Sequence, residues 1–142
     1  MNRAIDDVKS LLSEMLERHV TLHEEGSRGA RVPMSHSRLV QVLLNIVRNS
    51  IEAIAPQRGN LWLSVGSPAP EHVRIEVADD GPGVEAALAG RLFEPFVSTK
   101  QTGTGLGLYV CRLLTARAGG TIEAMPREGG GMLLRIDLPA AT

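Results

Sequence analysis

Residues 60–83 read NLWLSVGSPAPEHVRIEVADDGPG. Leu61, Leu63 and Val65 alternate with Trp62 and Ser64, and Val73, Ile75 and Val77 alternate with Arg74 and Glu76. Side chains on a strand point to opposite faces at period two, so each run predicts a half-buried strand, over Asn60–Gly66 and His72–Ala78. The segment Ser67-Pro68-Ala69-Pro70 supplies the turn between them, which makes a hairpin the natural reading. Asp79-Asp80-Gly81-Pro82-Gly83 then breaks the second strand.

Outward from this hairpin the chain alternates between helical and strand patterns. Upstream, Ile5, Val8, Leu11, Leu12, Met15 and Leu16 recur at three- and four-residue spacing and predict an amphipathic helix over Ile5–Arg18. That helix starts almost at residue 1 without a capping residue, so a cut from a longer protein is expected. A strand over His19–Glu24 follows, and Ser35 or Ser37 can cap a helix over Arg38–Ala55 that stops at Pro56. Downstream, a mixed stretch runs to Thr104. A buried helix is expected over Gly105–Ala118, carrying Leu106, Leu108, Val110, Leu113 and Leu114 and ended by Gly119-Gly120. Strands over Thr121–Met125 and Met132–Leu138 flank a turn over Pro126–Gly131. No repeat or linker divides residues 1–142. The expected fold class is α/β, one domain with a largely antiparallel sheet covered on one face by helices.

Composition excludes several functions. The 142 residues carry 43% hydrophobic and 22% charged side chains with a formal net charge of −1, so no basic field invites nucleic acid or an anionic membrane. The aromatic residues are Trp62, Phe93, Phe96 and Tyr109, too few for a base-stacking platform. Cys111 stands alone, which rules out an internal disulfide and suits a reducing compartment. Its apolar neighbours predict a buried structural thiol. The amino terminus lacks the apolar run of a secretory signal, and no stretch has the length of a membrane span.

Three short stretches carry chemistry. Asn45 and Asn49 lie four apart and stack on one side of the Arg38–Ala55 helix, with Glu52 three beyond. An amide on an otherwise apolar helix costs free energy unless it is hydrogen-bonded or liganded. Asparagine carbonyls are hard oxygen donors suited to Mg²⁺, although a solvent-facing polar stripe has the same spacing. Asp79, held at a strand end, can accept from an amino group such as that of adenine, with Gly81 and Gly83 letting the backbone come close. The same residues would also make an ordinary turn. Gly103-Thr104-Gly105-Leu106-Gly107-Leu108 opens a helix, where successive backbone N–H groups form an anion site. Lys100 just before it offers a point charge for a phosphate, or is a solvated loop lysine.

In this order the stretches resemble the catalytic ATP-binding domain of sensor histidine kinases, in the wider GHKL group that includes gyrase and MutL. Residues 43–53, LLNIVRNSIEA, look like the N box; 77–83, VADDGPG, like the G1 box; 92–100, LFEPFVSTK, like the F box; 103–108 like the G2 box. Gly129-Gly130-Gly131-Met132 is similar to the family's final glycine turn. The resemblance covers roughly residues 35–139. It implies a Bergerat-type α/β sandwich with Asp79 on the adenine amino group and Gly81 and Gly83 shaping the base pocket. It implies Asn49 as the Mg²⁺ ligand, with Asn45 beside it near the phosphates. Gly103, Thr104, Gly105, Leu106, Gly107 and Leu108 would wrap the triphosphate, with Lys100 on the γ-phosphate. Phe93 and Phe96 would anchor the ATP lid between Val84 and Thr102. Glu52 stands where some relatives have a basic residue, so no phosphate role passes to it.

The resemblance also implies an activity. Hydrolysing members use a glutamate one turn before the Mg²⁺ asparagine as general base, and Asn45 occupies that place without being able to take a proton. The γ-phosphoryl is then left for a histidine nucleophile. His19, His23, His36 and His72 lack the helical setting of the family's phosphoacceptor, so the acceptor is expected on a separate dimerisation domain of the parent kinase. A response regulator would take the phosphoryl next, in the cytoplasm. The rival readings are an anti-sigma-type serine kinase, a nucleotide-sensing module without transfer, and a true ATPase.

Overall fold

The computed structural model describes residues 1–26, 29–96 and 106–141. Among these, five strands form one sheet: β1 (Val20–Gly26), β2 (Gly59–Gly66), β3 (His72–Asp79), β4 (Thr121–Pro126) and β5 (Met132–Pro139), in the order β1-β2-β3-β5-β4. All neighbours pair antiparallel except β1 and β2, which run parallel with Val20 opposite Gly59. A parallel pair needs a long crossover, supplied here by helix α3 (His36–Ile54). The Ser35 hydroxyl accepts from the Arg38 backbone N–H at 3.3 Å and caps α3, which decides between the two candidate serines.

The period-two reading of the hairpin holds along the sheet. Leu63, Val77 and Leu134 form one cross-strand row and Val65, Ile75 and Ile136 the next, all buried against the helices. Every apolar position expected on α3, from Leu39 through Ile54, is also buried there. Among the described residues the opposite face of the sheet has no such cover. Its rows are polar, with Arg74 paired to Asp137 at 2.7 Å and Arg135 to Glu76 at 3.0 Å. The chain is thus a two-layer α/β sandwich with a mixed, mostly antiparallel sheet.

Three local expectations need correction. The first helix is two, α1 (Asn2–Leu11) and α2 (Ser13–His19), separated at Leu12, whose φ of −107° and ψ of 13° leave the helical well. The Leu12 and Leu16 N–H groups still bond to Val8 and Leu12 carbonyls across the break. Leu12 is 5% exposed and Leu11 65%, so the irregularity keeps one leucine in the core and leaves its neighbour outside. His19 closes α2 rather than opening a strand.

Helix α5 (Gly107–Arg117) is not buried throughout. Its buried residues are Cys111 and Thr115, while Leu106 and Leu113 are 36% and 41% exposed. At 3.6 residues per turn, Leu106, Val110 and Leu113 lie on a different side from Leu108, Cys111 and Thr115; Cys111 and Thr115 are buried, and Leu108 and Leu114 pack against the core. A short helix, α4 (Ala86–Ala89), precedes Leu92 and Phe93; Ala89 and Leu92 pack with Met132 in a small second cluster.

These burials predict a clear contrast in urea denaturation. Ile46→Ala, at a fully buried position on α3, should cost about 2–5 kcal/mol. Leu113→Ala should cost less than about 1 kcal/mol. Equal losses would mean that the outer side of α5 is covered after all.

Candidate functional site

The carboxylate of Asp79 lies where the sheet pattern calls for an apolar side chain. It continues the inward row of Val73, Ile75 and Val77, stands opposite Leu61 and is 2% exposed. Its Oδ1 accepts from the Gly81 backbone N–H at 2.9 Å, and the Met132 N–H also bonds to the carboxylate. Burial pushes its pKa above the usual carboxylate range, and the neighbouring charge of Asp80 adds to that. The two backbone N–H groups and Arg127 oppose the shift without cancelling it. A carboxylate this buried keeps acceptor capacity beyond its two backbone bonds.

Glycines set the walls around it. A Cβ on Gly81 would lie 3.1 Å from both the Ala53 carbonyl oxygen and Asp79 Oδ1, so the turn after β3 abuts the last turns of α3. Gly131 has φ of +92°, and a Cβ there would overlap the Asp79 carbonyl oxygen at 1.9 Å. Gly83, at φ +71°, in turn packs on the Gly131 carbonyl. No other residue fits at Gly131, and its part in the site went unrecognised in the sequence. The signal was available in the run of three glycines, all at positive φ.

The second group of residues continues along α3. Ala53, Asn49 and Asn45 are spaced four apart on one side of the helix, spanning about 12 Å at 1.5 Å per residue. Both asparagines are half-buried. The Asn45 amide donates to the Gly107 carbonyl at 3.4 Å, at the first residue of α5, and a Cβ on Gly107 would come within 3.8 Å of Asn45 Cγ. The same side chain reaches Cys111, whose thiol burial pushes up to about 12, so it stays protonated and inert as expected. Its Sγ–H points at the Val42 carbonyl, 3.6 Å away.

The structure therefore brings Asp79, Gly81, Gly83, Asn45, Asn49 and Gly107 to one side of α3. Leu108 packs beneath them between the two apolar clusters, and Leu106 lies half outside. Phe93 is buried in the main core at 7% exposure. Phe96 is 76% exposed with φ of +65°, so the two rings face different surroundings. Lys100, Gly103, Thr104 and Gly105 lie outside the described residues.

The geometry so far defines an α/β sandwich with a buried acidic turn, a stripe of amides and a helix N-terminus gathered along one helix. Residues 34–142 match the family described as histidine kinase-, DNA gyrase B- and HSP90-like ATPases. The chain belongs to that family. The sensor protein kinase PilS of Pseudomonas aeruginosa is 38% identical over 139 residues, 96% of this chain and 26% of PilS. The C4-dicarboxylate transport sensor protein DctS of Rhodobacter capsulatus is 43% identical over 101 residues, 70% of this chain and 15% of DctS. This chain therefore spans only a minor part of these relatives. Among solved structures, the nucleotide-free catalytic domain of the histidine kinase ThkA superposes with a TM-score of 0.86 at 32% identity, covering 98% of this chain and 91% of that one. ThkA in complex with the response regulator protein TrrA superposes at 0.83 with 28% identity, covering 99% of this chain and 40% of that one.

The buried acid predicts a pH-dependent stability. Because the folded Asp79 holds its proton more tightly than the unfolded one, its contribution falls as pH rises from the ordinary carboxylate range through the raised folded value. Asp79→Asn removes that cost. The nucleotide-free variant should be more stable than its parent at pH 7, with the gap closing toward pH 4 in urea denaturation. A gap that stays constant or reverses would show that Asp79 is not destabilised by its burial.

Proposed function

We propose that this chain is the catalytic domain of a larger cytoplasmic kinase, and that it binds Mg·ATP and passes the γ-phosphoryl to a histidine nitrogen on a separate dimerisation domain. The observation that carries this reading is the alignment on α3: a buried carboxylate beside Ala53 at one end and the α5 N-terminus beside Asn45 at the other. Adenine fits the first end, where Asp79 accepts from its amino group and Gly81 and Gly83 let the base approach. The triphosphate fits the second, where the orphan N–H groups of the first α5 turn favour negative charge.

Residues outside the described set keep the roles that the family resemblance implies, with Gly103, Thr104 and Gly105 around the phosphates and Lys100 on the γ-phosphate. Among the described residues no cluster of three or more His, Cys, Asp or Glu side chains could hold a metal. That suits Mg²⁺ bound through one protein oxygen, waters and phosphates, and the Asn49 carbonyl is the donor we assign. When bound, the ion neutralises charge on the phosphate oxygens.

In the transfer itself, the bond from γ-phosphorus to the bridging oxygen breaks as a nitrogen–phosphorus bond forms, and ADP leaves with the electron pair. The domain contributes alignment and charge neutralisation rather than a covalent intermediate. Asn45 is central to the choice between transfer and hydrolysis. Its amide donates to the Gly107 carbonyl and offers no base to activate water. A response regulator as the next acceptor agrees with the ThkA–TrrA complex. No helix among the described residues is long and apolar enough to cross a membrane.

Incubating the chain with γ-labelled ATP, Mg²⁺ and the dimerisation domain of a related kinase should yield acid-labile, base-stable phosphohistidine. Asn49→Ala should abolish the label and most of the Mg²⁺ dependence of nucleotide binding. Steady phosphate release without the partner would instead identify an ATPase. Phosphoserine on an added substrate would identify a serine kinase, and saturable binding without any transfer a nucleotide sensor.

A further inference from the structure

The two carboxylates of the turn after β3 point to opposite sides of the sheet, as neighbours on a strand must. Asp79 turns inward to the pocket. Asp80 turns outward, where it meets a partner that no reading of the nucleotide site uses. Its Oδ1 accepts from the Asn60 backbone N–H at 2.7 Å and its Oδ2 from Asn60 Nδ2 at 3.0 Å. The Asp80 backbone N–H donates to the Asn60 carbonyl at 3.3 Å. One residue at the start of β2 thus holds Asp80 at three points.

The clamp reaches further. With Nδ2 facing the Asp80 carboxylate, Asn60 Oδ1 is left to accept from His23 Nε2 at 2.9 Å. His23 stacks on Trp62 with ring centroids 5.5 Å apart, and the Arg127 guanidinium lies 4.2 Å from the Trp62 ring centre. Arg127 also donates from Nη1 to the Gly130 carbonyl and from its backbone N–H to the Gly131 carbonyl. Gly131 is the residue packed against the Asp79 backbone. The outer face of β1 and β2 is therefore tied to both flanks of the base-pocket turn. The space is shaped for this: a Cβ on Gly59 would sit 2.4 Å from Asp80 Oδ1. Although desolvation opposes it, the bonds from Asn60 hold the Asp80 carboxyl below the usual range, so it stays ionised and bonded.

We propose that Asp80 is a positioning residue for base recognition, fixing through Asn60 the backbone of residues 79–81 and with it the direction of the Asp79 carboxylate. Asp80 touches no nucleotide in this arrangement. A mis-aimed Asp79 loses its bond to the 6-amino group, while the phosphate end of the pocket is unaffected. The inference rests on Asp79 being the adenine acceptor, and the two can be separated.

The test compares affinities of the 142-residue chain for Mg·ATP and for purine riboside triphosphate, which lacks the 6-amino group. The parent should prefer ATP. Asp80→Ala and Asn60→Ala should each weaken ATP roughly 5- to 20-fold and the analogue by less than about 3-fold, and the double variant should be no worse than either single one. Asp80→Asn keeps an acceptor for the Asn60 N–H but sets one amide nitrogen against another, so its preference should fall between. If Asp80→Ala does not fold, as circular dichroism would show, Asp80→Asn and Asn60→Ser carry the same comparison. Equal weakening of both nucleotides, or of neither, overturns the positioning role. If Asp79→Asn leaves the preference for ATP intact, the reading of Asp79 itself fails. If Asp79→Asn abolishes the preference and the Asp80 variants keep it, only the present inference fails.

Discussion

The fold is organised around the expense of burying one carboxylate. Asp79 occupies an inward position on β3 where valine or isoleucine would stabilise the sheet, and its burial raises its pKa rather than being fully compensated. Two backbone N–H groups, from Gly81 and Met132, offset part of that cost. Both require the chain to pass very close, and both approaches depend on glycine. Gly81 lies against the α3 backbone, and Gly131 lies against the Asp79 carbonyl. The turn before β5 and the end of α3 are thus placed by the demands of one side chain.

Helix α3 answers the other demand, for a core. Its apolar side covers the sheet and its length closes the parallel β1–β2 crossover. The stripe carrying Asn45, Asn49 and Ala53 runs along the margin of that apolar side. These residues therefore stand on a helix whose other side is packed into the core along its whole length, which suits groups that must hold a fixed geometry.

Much of this was legible in the residues. Period-two runs located β2, β3 and β5 to within about a residue, and the 3.6-residue period located α3, because both signals arise from a single buried face. The asparagines of α3 and Asp79-Asp80 stood out because amides and acids broke those patterns, and residues 103–108 because of their glycines. What escaped the reading depends on contacts between distant segments. Leu106, Leu108, Val110, Leu113 and Leu114 all read as core, yet only Leu108 and Leu114 of these pack on it beside the buried Cys111 and Thr115, while Leu106 and Leu113 face outward, and nothing local distinguishes the two sides. Phe93 and Phe96 read as a pair, but a turn rather than a helix separates them. Asn60 and Asp80 meet only because the hairpin register sets Leu61 against Asp79. The kink at Leu12 has no glycine or proline to announce it.

Because the same helix carries both the core and the residues proposed to hold the nucleotide, a ligand bound by them would grip the brace of the whole sandwich. Occupancy and global unfolding are then linked by mass action: each tenfold excess of ligand over its dissociation constant adds about 1.4 kcal/mol to the free energy of unfolding. Thermal protection by nucleotide is in this sense a property of α3.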